Sequence, residues 1–193
     1  MPEDRPTADP AMVAQRLAAG LNQRGQEYAF GGALALGYWA APRGTLDVDL
    51  TLFLPLDKPS ECIWLLEDLG CELSASEALA SLREHGFCRA AWQGVRVDVF
   101  LPLIPFYETA RQRRKRMDLG GQPIAVWDAE SLAVFKMLFF RRKDLADVEQ
   151  ILRSQGARLD RAWVREQLES ICGSLDPRLS QWDELVREVL PGD

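Results

Sequence analysis

Asp47 and Asp49 stand two residues apart in the apolar run Leu46-Asp-Val-Asp-Leu-Thr-Leu52. Side chains at i and i+2 of a strand share a face, so the two carboxylates are neighbours. Like charges side by side on an apolar strand repel, and they cost free energy unless a cation lies between them. Oxygen-only ligands of this kind suit Mg²⁺. The alternation sharpens the reading. Leu46, Val48, Leu50, Leu52 and Leu54 make one apolar face, and the other carries Asp47, Asp49, Thr51 and Phe53.

The segment that must position these acids begins upstream. Tyr28 to Phe30 reads as a short strand, Gly31-Gly32 as a turn with uncovered amides, and Ala33 to Ala40 as a short helix. A glycine turn that opens a helix offers N–H groups and a positive dipole end, which together cradle phosphate. Pro42-Arg43-Gly44 ends that helix, and Arg43 places a fixed positive charge just before the acidic strand. Phosphate donors on one side and a metal-binding acid pair on the other describe a nucleotide–Mg²⁺ site.

At these residues the chain resembles the nucleotidyltransferase superfamily with the DNA-polymerase-β-like fold, whose motif is Gly-Gly or Gly-Ser, a short helix, then Asp-x-Asp on a strand. It is more closely similar to the AbiEii-like and related minimal nucleotidyltransferases, with Gly31, Gly32, Arg43, Thr45, Asp47, Asp49 and Leu50 in the places of "Gly-Gly…Arg-x-Thr-x-Asp-x-Asp-Leu". A second block, Ser131 to Val148, resembles the family's "Lys…Arg-x-Lys-Asp-x-x-Asp" helix pair through Lys136, Lys143, Asp144 and Asp147, so the likeness spans roughly residues 25 to 155. The resemblance implies a third metal acid on a neighbouring strand, for which Asp98 in the alternating run Gly94 to Leu101 is the candidate. It implies two Mg²⁺ ions on Asp47, Asp49 and Asp98, an NTP substrate such as ATP held through Gly31, Gly32, Arg43 and Thr45, and Lys136 as the charge that steadies departing pyrophosphate.

Lys136 is unusual in its own right. Its helical neighbours Leu132, Ala133, Phe139 and Phe140 are all apolar. A lysine in such a stripe snorkels out, pairs with an acid, or opens onto a polar cleft. Asp144 and Asp147 lie one turn apart on the next helix, above a stripe of Leu145, Val148 and Leu152. Taken alone, Asp144 is best read as a first-turn cap or dipole partner. The resemblance implies instead that Asp144 or Asp147 holds Lys136 or Lys143 in place.

Composition bounds the remaining possibilities. In 193 residues, 47% hydrophobic, there is material for a full core. No apolar run reaches the ~18 residues of a membrane span. The N-terminal Met-Pro-Glu-Asp-Arg-Pro is unlike a signal peptide, so a cytoplasmic protein is expected. Cys62, Cys71, Cys88 and Cys172 lack Cys-x-x-Cys spacing and His85 is the sole histidine, which argues against a zinc site and against His-based catalysis. The net charge of −6 does not suggest indiscriminate nucleic-acid binding. Arg111-Gln-Arg-Arg-Lys-Arg116 is the exception, read either as a solvated helix end or as a contact to triphosphate or an RNA backbone.

Periodicity predicts helices at 12–24, 59–69, 77–84 and 107–114, and hairpins around Gln93-Gly94 and Gly120-Gly121. Further helices are expected at about 128–140, 142–154, 160–172 and 177–189. The expected fold is α+β: a small mixed or antiparallel sheet flanked by helices over residues 1–127, with a C-terminal helical bundle over 128–193 packed on it. The resemblance implies transfer of NMP from an NTP to a hydroxyl of an RNA, such as a tRNA 3′ end, or of a partner (toxin) protein, in a toxin–antitoxin setting. The competing expectation is a catalytically silent protein that binds nucleotide or grips a toxin as an antitoxin.

Overall fold

The computed structural model describes residues 9–190. The Met-Pro-Glu-Asp-Arg-Pro segment and the last three residues of the 128–193 region lie outside the described residues.

The first helix, α1 (Pro10–Gln23), is capped by the Asp9 carboxylate, which accepts from Ala11 N at 3.1 Å. Its apolar stripe Val13, Ala14, Leu17, Ala18 and Leu21 is buried throughout. There follow β1 (Tyr28–Phe30), α2 (Gly32–Trp39), β2 (Asp47–Leu52), α3 (Pro59–Asp68), α4 (Ala75–His85), β3 (Phe87–Trp92) and β4 (Val95–Phe100). The chain continues through α5 (Phe106–Arg113), β5 (Lys115–Leu119), β6 (Gln122–Val126), α6 (Ala129–Phe139), α7 (Arg142–Gln155), α8 (Arg161–Cys172) and α9 (Pro177–Val189). A short 3₁₀ turn at Gly156–Arg158, which the periodicity did not predict, joins α7 to α8.

The six strands form one mixed sheet in the order β3-β4-β2-β1-β6-β5. β2 runs parallel to β4, and β1 to β6; the other pairs are antiparallel. Both expected hairpins form. At the first, Gln93 and Gly94 take φ of 47° and 82°, the doubly positive geometry of a two-residue turn that matches strand twist. The parallel β2–β4 pair needs a long crossover, which α3, α4 and β3 supply.

Val48, Leu50 and Leu52 of β2 and Val95, Val97 and Val99 of β4 point into the core. α1 packs over β6 and β2, and α4 over β3. On the opposite face, α6 and α7 pack on α2, which leaves a hollow beside the other side chains of β2, β4 and β3. One sequence expectation fails locally: Leu46 does not extend the apolar face of β2. It is 89% exposed, because the strand's pairing starts at Asp47, opposite Arg96. Leu54 lies beyond the strand and is half-buried. Among the described residues no helix is long and apolar enough to cross a membrane.

Candidate active site

Strand register sets the acids out as a grid. Across β2, β4 and β3, Asp49 pairs with Asp98 and Asp98 with Arg89; one step along, Asp47 pairs with Arg96 and Arg96 with Ala91. On the other side Thr51 pairs with Phe100, and Phe100 with Phe87. Alternation turns all of these side chains to one face, the face that lines a cleft of about 670 Å³. The cleft gathers Gly31, Gly32, Arg43, Asp47, Asp49, Asp98, Lys136, Lys143 and Asp144, residues drawn from five segments of the chain. Thr45 and Asp147 stand behind this lining and act on it indirectly.

The glycine turn is fitted to the acid. Gly31 N–H donates to Asp49 O at 2.9 Å, so the turn continues the β1–β2 ladder. Gly32 then takes φ +55°, and a Cβ there would lie 1.7 Å from Asp49 Oδ2. Only glycine allows the carboxylate to lie against the start of α2. The first N–H groups of that helix have no partner within it, so the turn presents donors beside the acid.

The charges are unevenly compensated. Asp47 accepts from the Thr45 hydroxyl at 2.7 Å and from Arg96. Burial works against its ionisation, but these two partners hold its carboxyl below the usual range. Asp49 forms no ion pair among the described residues. Burial, together with the charges of Asp47 and Asp98, pushes it up to about 6, against the milder pull of Lys136 and Lys143. Burial also raises Asp98, despite Arg96 at 3.4 Å and Arg89 at 3.5 Å. Those are ion-pair distances without hydrogen-bond geometry, and Asp98 Oδ1 is buried with no hydrogen bond.

The acids meet a protein cation as well as one another. Among the described residues no three carboxylate, thiol or imidazole groups converge as a preformed metal centre. The Arg96 guanidinium bridges Asp47 and Asp98 and supplies the cation that the acids demand. The donor set nevertheless fits a hard divalent ion: three carboxylates on adjacent strands, one with a buried oxygen that accepts no hydrogen bond and one whose carboxyl is raised by burial and by its acidic neighbours.

The second constellation is closed. Lys136 is buried and does not snorkel; its Nζ lies 2.6 Å from Asp147 Oδ2 and 3.6 Å from Asp144 Oδ1. Arg43 grips Asp147 with Nε and Nη2, both at 2.9 Å. Arg43, the phosphate-holding candidate, thus lines the cleft with two of its fork nitrogens on Asp147. Arg43 and Lys136 outweigh burial and keep the Asp147 carboxyl low. Asp144, fully buried, accepts from Arg141 Nε at 2.6 Å and from the Arg141 backbone N–H at 3.3 Å, and so acts as the cap of α7. Lys143 is exposed at the cleft rim.

The Arg111–Arg116 cluster lies elsewhere. It borders a separate hollow of about 850 Å³ that contains none of the sheet acids. Arg111 and Arg114 pair with Glu27, and Arg113 with Asp128 at 2.7 Å and Glu130 at 3.1 Å. Three of its five cations are thus spent inside the fold, and none lines the acid cleft. Cys62, Cys71 and Cys88 are buried free thiols, and Cys172 is partly buried.

Sequence reading missed Arg89, Arg96 and Arg141, along with the aromatic floor of Phe87, Phe100 and Phe139. The signal was present in the Phe87–Phe100 hairpin. A two-residue turn places Arg89 opposite Asp98, and the same alternation puts Arg96 and Phe100 on the face of Asp98.

No protein-family model matches the chain, and neither does any curated protein sequence. Solved structures do match in shape. A crystal structure of ANT(2″)-Ia in complex with adenylyl-2″-tobramycin aligns with a TM-score of 0.57 at 15% identity, covering 83% of this chain and 97% of that one. The solution structure of the antibiotic-resistance factor ANT(2″)-Ia aligns at 0.56 and 15%, covering 90% and 95%. An antigenic nucleotidyltransferase-like protein from Paracoccidioides brasiliensis aligns at 0.51 and 17%, covering 90% and 93%. The α+β fold expected from the sequence is thus present, and it is the fold that these nucleotidyltransferases share.

Proposed function

We propose that this chain is a Mg²⁺-dependent nucleotidyltransferase that moves an NMP group from an NTP to a hydroxyl of an RNA or protein acceptor. The observation that carries the reading is the placement of Asp49 and Asp98 side by side, under-neutralised, against the Gly31-Gly32 turn in a cleft faced by Lys136. The adenylylated tobramycin seen with ANT(2″)-Ia supports transfer to a hydroxyl as a chemistry of this fold.

In this reading Asp47, Asp49 and Asp98 would hold the divalent ions, which would supply a lowered pKa for the attacking hydroxyl and positive charge for the triphosphate. The amides after Gly31 and Gly32 bind the phosphates that leave. Lys136, fixed by Asp147, stabilises charge as the α–β phosphoanhydride bond breaks and pyrophosphate departs. Asp98 Oδ1, buried and without a hydrogen bond, is positioned to receive the acceptor's proton. Thr45 orients Asp47, and Asp144, Asp147 and Arg43 position Lys136 and the rim bearing Lys143. Helices α6 to α9 form a helical region packed on the core that precedes them, and α6 and the start of α7 make the wall opposite the sheet. We place the chain in the cytoplasm and in the AbiEii-like group, with a tRNA 3′ end or a partner toxin protein as acceptor.

A second reading is favoured by one observation, the Arg96 bridge across Asp47 and Asp98: a catalytically silent protein that binds nucleotide or a toxin partner. Incubation with each α-labelled NTP and Mg²⁺, with total tRNA or host lysate as acceptor, separates the two. Transfer of label by wild type and a loss of at least about 1,000-fold in Asp49→Asn is the expected result. Near-wild-type labelling by Asp49→Asn would defeat the transferase reading, and Mg²⁺-dependent NTP binding with no label on any acceptor would favour the silent one.

A further inference from the structure

The cleft has two unlike flanks. On one side lie the glycine turn at the start of α2 and, from the middle of α6, Lys136; on the other, beyond Asp49 and Asp98, lie Arg89, Phe87 and Phe100 of β3 and β4, which meet Phe139 and Arg141 at the C-terminal end of α6. The sheet order β3-β4-β2-β1 puts Arg89 furthest from the Gly31-Gly32 turn that follows β1. Phosphates anchored at the turn therefore leave Arg89 and its neighbours to the second substrate.

That far flank has a definite chemistry. Phe87 and Phe100 are 5.1 Å apart between ring centroids, and Phe100 and Phe139 are 6.1 Å apart, so the three rings form a continuous row along the cleft. Guanidinium groups close both ends, Arg89 at 5.6 Å over Phe87 and Arg141 at 4.8 Å over Phe139. Phe139 remains 49% exposed, although it is an apolar side chain beside an empty hollow. An aromatic row flanked by arginines suits a planar base carried on a phosphate chain.

The charge count points the same way. Cations lining the cleft outnumber carboxylates by six to four; Asp147, behind the lining, answers Arg43 and Lys136 and narrows the excess to one, which divalent ions on the acids would widen. A polycationic acceptor such as the tobramycin seen with ANT(2″)-Ia would meet repulsion here, whereas a phosphodiester would not.

We infer that Phe87, Phe100 and Phe139, with Arg89 and Arg141, form the acceptor platform of the cleft and hold the unpaired end of a single-stranded nucleic acid. This inference rests on the transferase reading, whose acceptor it names. The acceptor's terminal base stacks on the phenylalanine row, its phosphates meet the arginines, and its terminal hydroxyl is directed toward Asp98. Arg96, which bridges Asp47 and Asp98, is half-exposed on the same face and would be a further phosphate contact if a cation took its place on those acids.

The test is fluorescence anisotropy with a labelled single-stranded oligoribonucleotide and its DNA counterpart, on wild type, Phe139→Ala and Arg89→Ala. Both side chains are exposed enough (49% of Phe139 and 68% of the Arg89 side chain) that the melting temperature should not move. Phe139→Ala should weaken binding about tenfold. Arg89→Ala should weaken it several-fold and flatten the slope of log K against log salt by about 0.7–1. Mg²⁺-dependent binding of a fluorescent ATP analogue is read in parallel. ATP binding without oligonucleotide binding, or oligonucleotide binding unchanged in both variants, overturns the platform and leaves the transferase reading standing. So does transfer of label to an acidic protein with no oligonucleotide affinity. Oligonucleotide binding without ATP binding overturns the transferase reading, and with it the platform's role as an acceptor site.

Discussion

Two pairs of carboxylates stand at this cleft, a buried pair on α7 (Asp144 and Asp147) and a half-buried pair on the sheet (Asp49 and Asp98), and they are handled in opposite ways. On α7, each oxygen of Asp144 and Asp147 has a cationic or amide partner, supplied by Lys136, Arg43 and Arg141. On the sheet, Asp49 has no ion pair, Asp98 has a buried oxygen without a hydrogen bond, and Arg96 is shared between Asp47 and Asp98. The pKa directions follow: Asp147 is held low, Asp49 is pushed up to about 6, and Asp98 is raised. Burial alone does not set the direction of the shift: Asp147 is the more buried residue and is held low, whereas the half-buried Asp49 and Asp98 are raised. The difference lies in compensation. Where the fold completes its own charge balance, the carboxylate is scaffold; where the balance is left open, the site is prepared for a ligand that brings positive charge.

The largest stability effect should therefore come from the closed pair. Asp147→Ala leaves Lys136 buried with only Asp144 at 3.6 Å, and it frees the Arg43 fork. Removing one partner of a buried ion pair costs roughly 3–5 kcal/mol. Asp144 retains part of the Lys136 charge, so about 3 kcal/mol is expected in chemical denaturation. Asp49→Asn in the same experiment should cost nothing. Equal destabilisation by both substitutions would erase the distinction between the pairs.

The contrast was only half legible in the sequence. Gly31-Gly32, the alternation through Asp47 and Asp49, and the helical periods after residue 128 were local signals, and the corresponding elements form within a residue or two of expectation. Lys136 could be recognised as misplaced in its apolar stripe, and Asp144 as a cap. What could not be read was which cation answers which acid. Arg43 reaches Asp147 across 104 residues, and Arg96 meets Asp47 across 49 through a parallel pairing. Pairings of that kind depend on strand register and helix docking, which no local pattern encodes. The Arg111–Arg116 run stayed open between two readings for the same reason: its partners Glu27 and Asp128 are distant in sequence.

The open pair can be probed through its tightest contact. In Gly32→Ala the new methyl would coincide with Asp49 Oδ2, and the backbone would hold an L-residue at φ +55°. Left-handed backbone costs about 1–2 kcal/mol for a non-glycine residue, so a stability loss of about 2 kcal/mol is expected. Transfer activity should fall much further than stability, because the carboxylate must swing away from the turn. A variant that loses stability but keeps its turnover would show that the Asp49–Gly32 contact is ordinary packing.

The smallest effect is the most diagnostic, because its sign is opposite to that of the others. Asp49 binds its proton more tightly in the folded state, about pH 6, than in the unfolded chain near 3.9. Between those values the native state carries the extra proton, so stability falls as pH rises through 6 and the lost part stays lost above it. A shift of this size corresponds to at most about 3 kcal/mol. Water at the cleft mouth and the nearby arginines reduce it, leaving about 1 kcal/mol. Asp49→Asn should accordingly raise the melting temperature at pH 7.5 in chelator and make no difference at pH 4. Added Mg²⁺ should stabilise wild type above pH 6, and the variant less, since a bound cation supplies what the ionised acid lacks. For Asp147 the slope reverses: its carboxyl is held low, so its contribution is present at neutral pH and disappears as pH falls through the native value. Parallel melting curves for the Asp49 and Asp147 variants across this range would mean that the two carboxylate pairs are alike after all.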